Sequence, residues 1–447
     1  MPRVTDESFA VVGAGPSGLA AARNLQRFGI PWQGYELAAG VGGLWDIDGP
    51  RSTVYDSAHL ISSKRTTEFS EFPMRAEVAD YPSHRELLGY FRDFASTYDL
   101  TDGFAFGTEV VSARPSGDGG WVVVSEGPDG RREQRHAGLL VANGTLSEPS
   151  VPQFAGSFDG EILHTSAYKS PSVFAGKRVL IIGAGNSGCD IAVDAVHHAA
   201  SVDISVRRGY YFVPKYLFGK PADTLNQGRP LPPRIKQAID SRVLKAFTGD
   251  PVTFGFPKPD YRIYESHPIV NSLVLHHLGH GDLHVRADVR RFAEGDVEFV
   301  DGSSRPYDVI VLATGYRLHY PFLSPELLRW AGHGSAPDLY LNVFTQEDPN
   351  LFVLGMIEAS GIGWQGRYEQ AELVASYLRA RTTNPTAAAA LDQRIDGPRP
   401  DLSGGYRYLG LERMSYYVNK DAYRRAVRSE IDHLGQGQPG QRSGAIG

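Results

Sequence analysis

The chain of 447 residues holds one cysteine, Cys189. No disulfide can close within it and no C-x-x-C pair exists, which excludes dithiol redox chemistry and fits a reducing compartment. Basic tracts are also missing: Arg131–Arg132, Arg207–Arg208 and Arg290–Arg291 stand as isolated pairs. With a formal net charge of −6 the chain offers no basic face for nucleic acid or a membrane surface. No apolar run approaches the ~20 residues of a bilayer-spanning helix. The opening "MPRVTDESFAVVGAGPSG" lacks the charged-then-apolar pattern of a signal segment. These absences predict a cytoplasmic protein that partners neither nucleic acid nor membrane. No metal site is expected.

Glycine is plentiful and patterned. "FAVVGAGPSG" runs from an apolar strand into G-x-G-x-x-G at Gly13, Gly15 and Gly18, and "LAAARNLQRFG" continues with helical periodicity to a stop at Gly29. "KRVLIIGAGNSG" repeats the pattern at Gly183, Gly185 and Gly188, before "CDIAVDAVHHAA" and the strand "VDISV". In such a loop the first glycine permits a tight turn. The second lets backbone approach a pyrophosphate, and the third lets helix and strand pack closely. The phosphates then meet the helix N-terminus. Alone the motif is weak. Here both copies follow a strand and precede a helix, as that chemistry requires. Their wide separation fits two dinucleotide-binding domains rather than a small repeat.

The residue closing each second strand tells the two sites apart. Glu36 can accept hydrogen bonds from a ribose diol and repels a 2′-phosphate, whereas Arg207, assisted by Arg208, attracts one. The first loop therefore predicts a cofactor with a free ribose, with Ser17 beside the glycines. The second, with Ser187, predicts an NADP-type cofactor, and Lys215 is a weaker candidate there. "GVGGLW" adds adjacent glycines, Gly43 among them, for close backbone approach, then Leu44, and Trp45 as a flat face for stacking. Elsewhere, residues 104–125 read as a hairpin and "YDVIVLATGY" (307–316) as a buried strand with a glycine turn. Residues 215–260 read as an insertion, and 436–447 as a disordered tail.

Five motifs in order then carry a resemblance: the Gly13–Gly18 loop, "GVGGLW", Phe158-x-Gly160-x-x-x-His164-x-x-x-Tyr168, the Gly183–Gly188 loop and "LATGY" (312–316). The chain resembles the flavin-containing monooxygenases, class B single-component flavoproteins, from Phe9 to about residue 378. "HPIVNSLVLHHLGHGDLHV" and "DPNLFVLGMIEASG" also look like the family's later segments. The resemblance implies an α/β fold with two Rossmann-like domains, an FAD domain with an inserted NADPH domain. The expected parts are 1–165 and 306–435 for FAD, and 166–305 for NADP. It implies an NADPH- and O2-dependent monooxygenase that oxygenates an amine nitrogen or sulfide sulfur through a flavin C4a-hydroperoxide. A Baeyer–Villiger monooxygenase and a non-oxygenating NADPH-binding flavoprotein are the alternatives. The partners implied are a small-molecule substrate and O2, with a homodimer as the candidate assembly.

In the family the Phe158–Tyr168 segment links the two cofactor domains. His164 is expected as a scaffold rather than a general base, because an imidazole bonded at both nitrogens is held in place. The related Baeyer–Villiger type ends this motif in Trp followed by Pro or Asp; here Tyr168 and Lys169 stand there, which favours N- or S-oxygenation. Ser62 and Gln370 are candidate neighbours of the flavin ring. Tyr211, Phe212 and Trp364 are candidates for a substrate path. One departure from the family is Ile61, at a position where many members carry an Asn beside the flavin. Either Ser62 stands in for that amide or the local geometry differs there.

Overall fold

Long apolar runs without alternation predict strands covered on both faces. In the computed structural model, which describes residues 7–226 and 231–435, these runs form the centres of two parallel sheets. In the first sheet Phe9–Val12 lies between Trp32–Tyr35 and Gly138–Val141, with Phe104–Ala105 and Leu351–Val353 at the edges. In the second, Arg178–Ile182 lies between Ser201–Ser205 and Val309–Leu312, with Leu283–Arg286 and Glu161–His164 at the edges. Every residue of Phe9–Val12, Gly138–Val141 and Val309–Leu312 is buried. The chain is thus α/β, with two Rossmann-like units.

Each glycine loop leads into a helix, Pro16–Arg27 or Asn186–Val196. Phe28 ends the first, and Gly29 (φ +66°) reverses the chain. The long helix Gly363–Thr383 is mostly buried because it packs against both Pro16–Arg27 and Lys420–Gly435. Among the described residues no helix is long and apolar enough to cross a membrane.

The second sheet draws in strands on both sides of the 166–305 stretch. Glu161–His164 and Val309–Leu312 both pair within the second sheet, so that sheet's strands run from 161 to 312. The reason is parallel pairing: Val309–Leu312 needs Arg178–Ile182 on one side and "EILH" on the other. The expected hairpin also begins later. Phe104–Ala105 joins the first sheet, and Glu109–Pro115, Trp121–Gly127 and Gly130–His136 form a separate antiparallel sheet. Residues 215–260 hold a two-strand ribbon (Tyr216–Leu217 with Lys220–Pro221) and a helix, Pro233–Thr248. The tail 436–447 lies outside the described residues.

His267 joins the two halves, its Nδ1 lying 3.2 Å from the Tyr417 hydroxyl. Burial pushes its imidazole down to about 4, with Arg413 acting in the same direction and Glu358 against it. The unfolded chain takes up that proton near pH ~6.5. Between those values only the unfolded state is protonated, so stability falls as the pH drops through this window. The melting temperature is expected to decline more steeply on acidification in wild type than in His267→Gln. Parallel curves would remove His267 from the acid response.

Candidate functional site

The two glycine loops are built alike. A Cβ on Gly13 (φ +107°) would lie 2.5 Å from the Ala142 carbonyl oxygen, and one on Gly183 (φ +106°) 2.5 Å from that of Ala313. A Cβ on Gly18 would sit 1.8 Å from the Gly13 oxygen, and one on Gly188 2.1 Å from the Gly183 oxygen. Any side chain at these positions would push the helix off its strand. Gly185 has open space instead, where backbone can meet a ligand. Neither helix has a side-chain cap, so the first-turn N–H groups stay available for an anion.

Beside the first loop lies a cleft of about 270 Å³. Gly13, Gly15, Ser17, Glu36, Gly43, Leu44 and Trp45 all line it, while Gly18 lies behind, holding helix to strand. Glu36 is nearly buried at its floor. Its Oε2 accepts from the Ala14 N–H at 2.6 Å and its Oε1 from the Ala38 N–H at 2.7 Å. Burial pushes this carboxyl up, against the pull of the Ala38 and Ala14 donors. Each oxygen keeps lone-pair capacity for a further donor. Trp45 and Trp364 form one wall, with ring centroids 6.1 Å apart.

At the second loop Arg207 is exposed just past Ser201–Ser205. Arg208 faces Asp260 at 3.4 Å. Lys215 holds its ammonium 4.9 Å from the centre of the Tyr81 ring. Burial pushes that ammonium down and the Asp190 carboxylate opposes the shift.

The Phe158–Tyr168 segment ties the second sheet to the wall of the first cleft. Phe158 packs on Phe292, and Gly160 passes so near the Asp308 carbonyl that a Cβ would come within 2.6 Å of it. His164 Nε2 lies 3.0 Å from the Gly315 carbonyl, and its Nδ1 accepts from the Ser166 N–H at 3.1 Å. That pattern assigns the neutral Nε2–H tautomer; burial, the larger influence, lowers the imidazole pKa and the Gly315 contact opposes it. Tyr168 is buried against Phe174 and donates to Asp194 Oδ2 at 2.8 Å. Lys169 Nζ donates to the carbonyls of Ser52 and Val54, at 2.9 and 3.1 Å, and Ser52 lines the cleft.

The other expected residues, Trp364 excepted, lie outside the cleft wall. Gln370 is fully buried, accepting from the Gly355 N–H at 2.9 Å and donating to the Tyr423 hydroxyl at 2.8 Å. It holds the Gly355 turn, which does reach the cleft, through bonds at both its amide oxygen and its nitrogen. Ser62 pairs with the Thr67 hydroxyl at 2.7 Å, outside the cleft wall. Phe212 is core, packed on Phe256. The Tyr211 hydroxyl is bound to the Tyr261 carbonyl at 3.0 Å. Trp364 is both core and cleft wall.

Two wall residues escaped sequence reasoning. Arg367 donates to the carbonyls of Gly363 and Ile357, at 3.0 and 3.3 Å. Nothing in its helical stretch marks it out. Asn143 donates to the His319 carbonyl at 2.8 Å. Its signal was available, since "VANG" (141–144) ends a buried strand as "LATG" (312–315) does.

Known proteins extend the likeness. The family model described as flavin-binding monooxygenase-like matches residues 6–396. Flavin-containing monooxygenase 5 of Mus musculus is 32% identical over 89% of this chain and 80% of its own length. Indole-3-pyruvate monooxygenase YUCCA4 of Oryza sativa subsp. japonica is 31% identical over 72% of this chain and 77% of its own. Among solved structures, an S-allyl-L-cysteine S-oxygenase from Allium sativum superposes with a TM-score of 0.66 at 21% identity, covering 95% of this chain and 88% of that one. A steroid monooxygenase bound to NADP gives 0.71 at 20%, covering 96% and 98%, and these two share the fold. With the motif resemblance, the twin loops and a family match over most of its length in agreement, the chain belongs to the flavin-binding monooxygenase-like family and is an FAD-containing, NADPH-dependent monooxygenase.

Proposed function

We propose that the protein oxygenates a soft nucleophile, an amine nitrogen or a sulfide sulfur, with FAD held in the cleft beside Glu36 and NADPH on the second glycine loop. When bound, FAD supplies the redox chemistry, taking reducing equivalents from NADPH and activating O2. The chain's own residues bind, orient and exclude water. Glu36 presents two carboxylate oxygens to a ribose diol, and the N-terminus of Pro16–Arg27 faces the pyrophosphate. Trp45 and Trp364 wall the cleft against solvent. His164, neutral and bonded on both sides, holds the linker and moves no proton.

The observation that carries N- or S-oxygenation over the Baeyer–Villiger alternative is the end of the linker. Tyr168 and Lys169 both donate hydrogen bonds there, and Lys169 reaches the cleft segment at Ser52. A Trp–Pro or Trp–Asp ending has no ammonium to place on those carbonyls. A cytoplasmic setting suits the single cysteine, which is buried. Incubation with NADPH, O2 and a thioether, a tertiary amine or a cyclic ketone is expected to give sulfoxide or N-oxide and little lactone. Lactone as the main product would reverse the reading, and NADPH consumption without oxygenated product from any of the three would end it.

A further inference from the structure

We propose that the last turn of the helix Leu273–His280 and the residues after it form a binding site for a first-row transition-metal dication, Zn2+ in the first instance, made by His277, His280 and Asp282. The site is separate from both cofactor loops and does not depend on the oxygenation reaction. Among the described residues it is the one group of three His, Cys, Asp or Glu side chains whose donor atoms all lie within 4.8 Å of one another.

The local sequence builds it. His277 and His280 are three residues apart on one helical face. Gly281, at φ +81°, then reverses the chain in the left-handed conformation. Its N–H returns to the Leu278 carbonyl at 3.3 Å, and the Asp282 N–H to the His277 carbonyl at 3.0 Å. The backbone thereby carries the Asp282 carboxylate back over the two rings.

The distances admit a metal between the three side chains. Asp282 Oδ2 lies 3.1 Å from His277 Nδ1 and 3.7 Å from His280 Nδ1. A tetrahedral zinc with bonds of about 2.0–2.1 Å sets neighbouring donors roughly 3.3 Å apart, between these two values. A His277–Asp282 hydrogen bond accounts for the shorter contact, while the 3.7 Å His280–Asp282 pair is too long for one. Two imidazoles and a carboxylate suit Zn2+, and also Cu2+ or Ni2+, with water completing the shell. His197, capping the helix Asn186–Val196, packs edge-on against His277 at 5.2 Å between ring centroids and braces that ring. His277 is largely covered (side chain 14% exposed), while His280 (67%) and Asp282 (49%) leave the site open to an ion from solvent.

The test is calorimetric titration of ZnCl2 into the FAD-loaded full chain, prepared without a histidine tag. Wild type is expected to bind one equivalent, with His280→Ala and Asp282→Ala each weakening it by about tenfold or more, as loss of a direct ligand should exceed the effect of an outer-shell partner. Zn2+ should raise the melting temperature of wild type and of neither variant. Both substituted side chains are exposed and remote from the cofactor loops, so NADPH oxidation in metal-free buffer is expected to be unchanged. Absence of binding in wild type, or wild-type affinity in either variant, overturns the proposal.

Discussion

Glu36→Ala is expected to fold and to emerge from purification without FAD. In the cleft the carboxylate is fixed by the N–H groups of Ala14 and Ala38, so its orientation is set before any ligand arrives. Two hydrogen bonds from a ribose diol to an ionised acceptor contribute about 1.5–3 kcal/mol each. Their loss weakens FAD binding by about 3 kcal/mol or more, roughly a hundredfold or more in the dissociation constant. Alanine also leaves two main-chain N–H groups without their acceptor, at roughly 1–3 kcal/mol each in the stability of the apoprotein. Titrating FAD into unfolded-corrected apoprotein separates these effects. Glu36→Gln is expected to be intermediate, since it keeps one acceptor oxygen but turns an amide N–H2 toward a backbone donor. Stoichiometric FAD in purified Glu36→Ala would mean the carboxylate does not hold the ribose.

How far the sequence reveals this site depends on what each residue does. The glycine loops were legible because their constraint is steric and local. Gly13 and Gly18 meet backbone atoms a few residues away or at the end of the neighbouring strand. Glu36 was legible because strand length fixes its distance from the loop. Gln370 was not, because a glutamine facing a flavin and one buried on Gly355 and Tyr423 look identical in sequence. Its partners are 15 and 53 residues away. The first strand of the second sheet is hard to read for a related reason. "EILH" is an edge strand with only His164 buried, so it lacks the apolar run that betrays a central strand. Phe212 shows the same ambiguity: an aromatic beside an arginine pair can line a path or fill a core, and only Phe256 across from it decides.

Arg207→Ala is expected to raise the Michaelis constant for NADPH roughly ten- to hundredfold and to leave that for NADH nearly unchanged. Arg207 sits just beyond the second strand of the second Rossmann unit, where an adenosine ribose belongs. Among the described residues it is exposed and no hydrogen bond or ion pair is seen for it, so its guanidinium is available to a 2′-phosphate. Arg208 is partly engaged with Asp260, and Lys215 lies over Tyr81 within reach of the Asp190 field. The order of effects should therefore be Arg207 first, Arg208 second and Lys215 least. A guanidinium holds phosphate through two parallel charge-assisted hydrogen bonds. Losing such a contact costs about 1.5–3 kcal/mol, which is the stated range when binding is the step affected. Steady-state oxidation of both cofactors by Arg207→Ala, Arg208→Ala and the double variant measures this. NADH lacks the phosphate, so it serves as the internal control for damage to the fold. Equal losses with both cofactors would make Arg207 a structural residue, and an effect confined to Lys215→Ala would move the phosphate site to the other side of the loop.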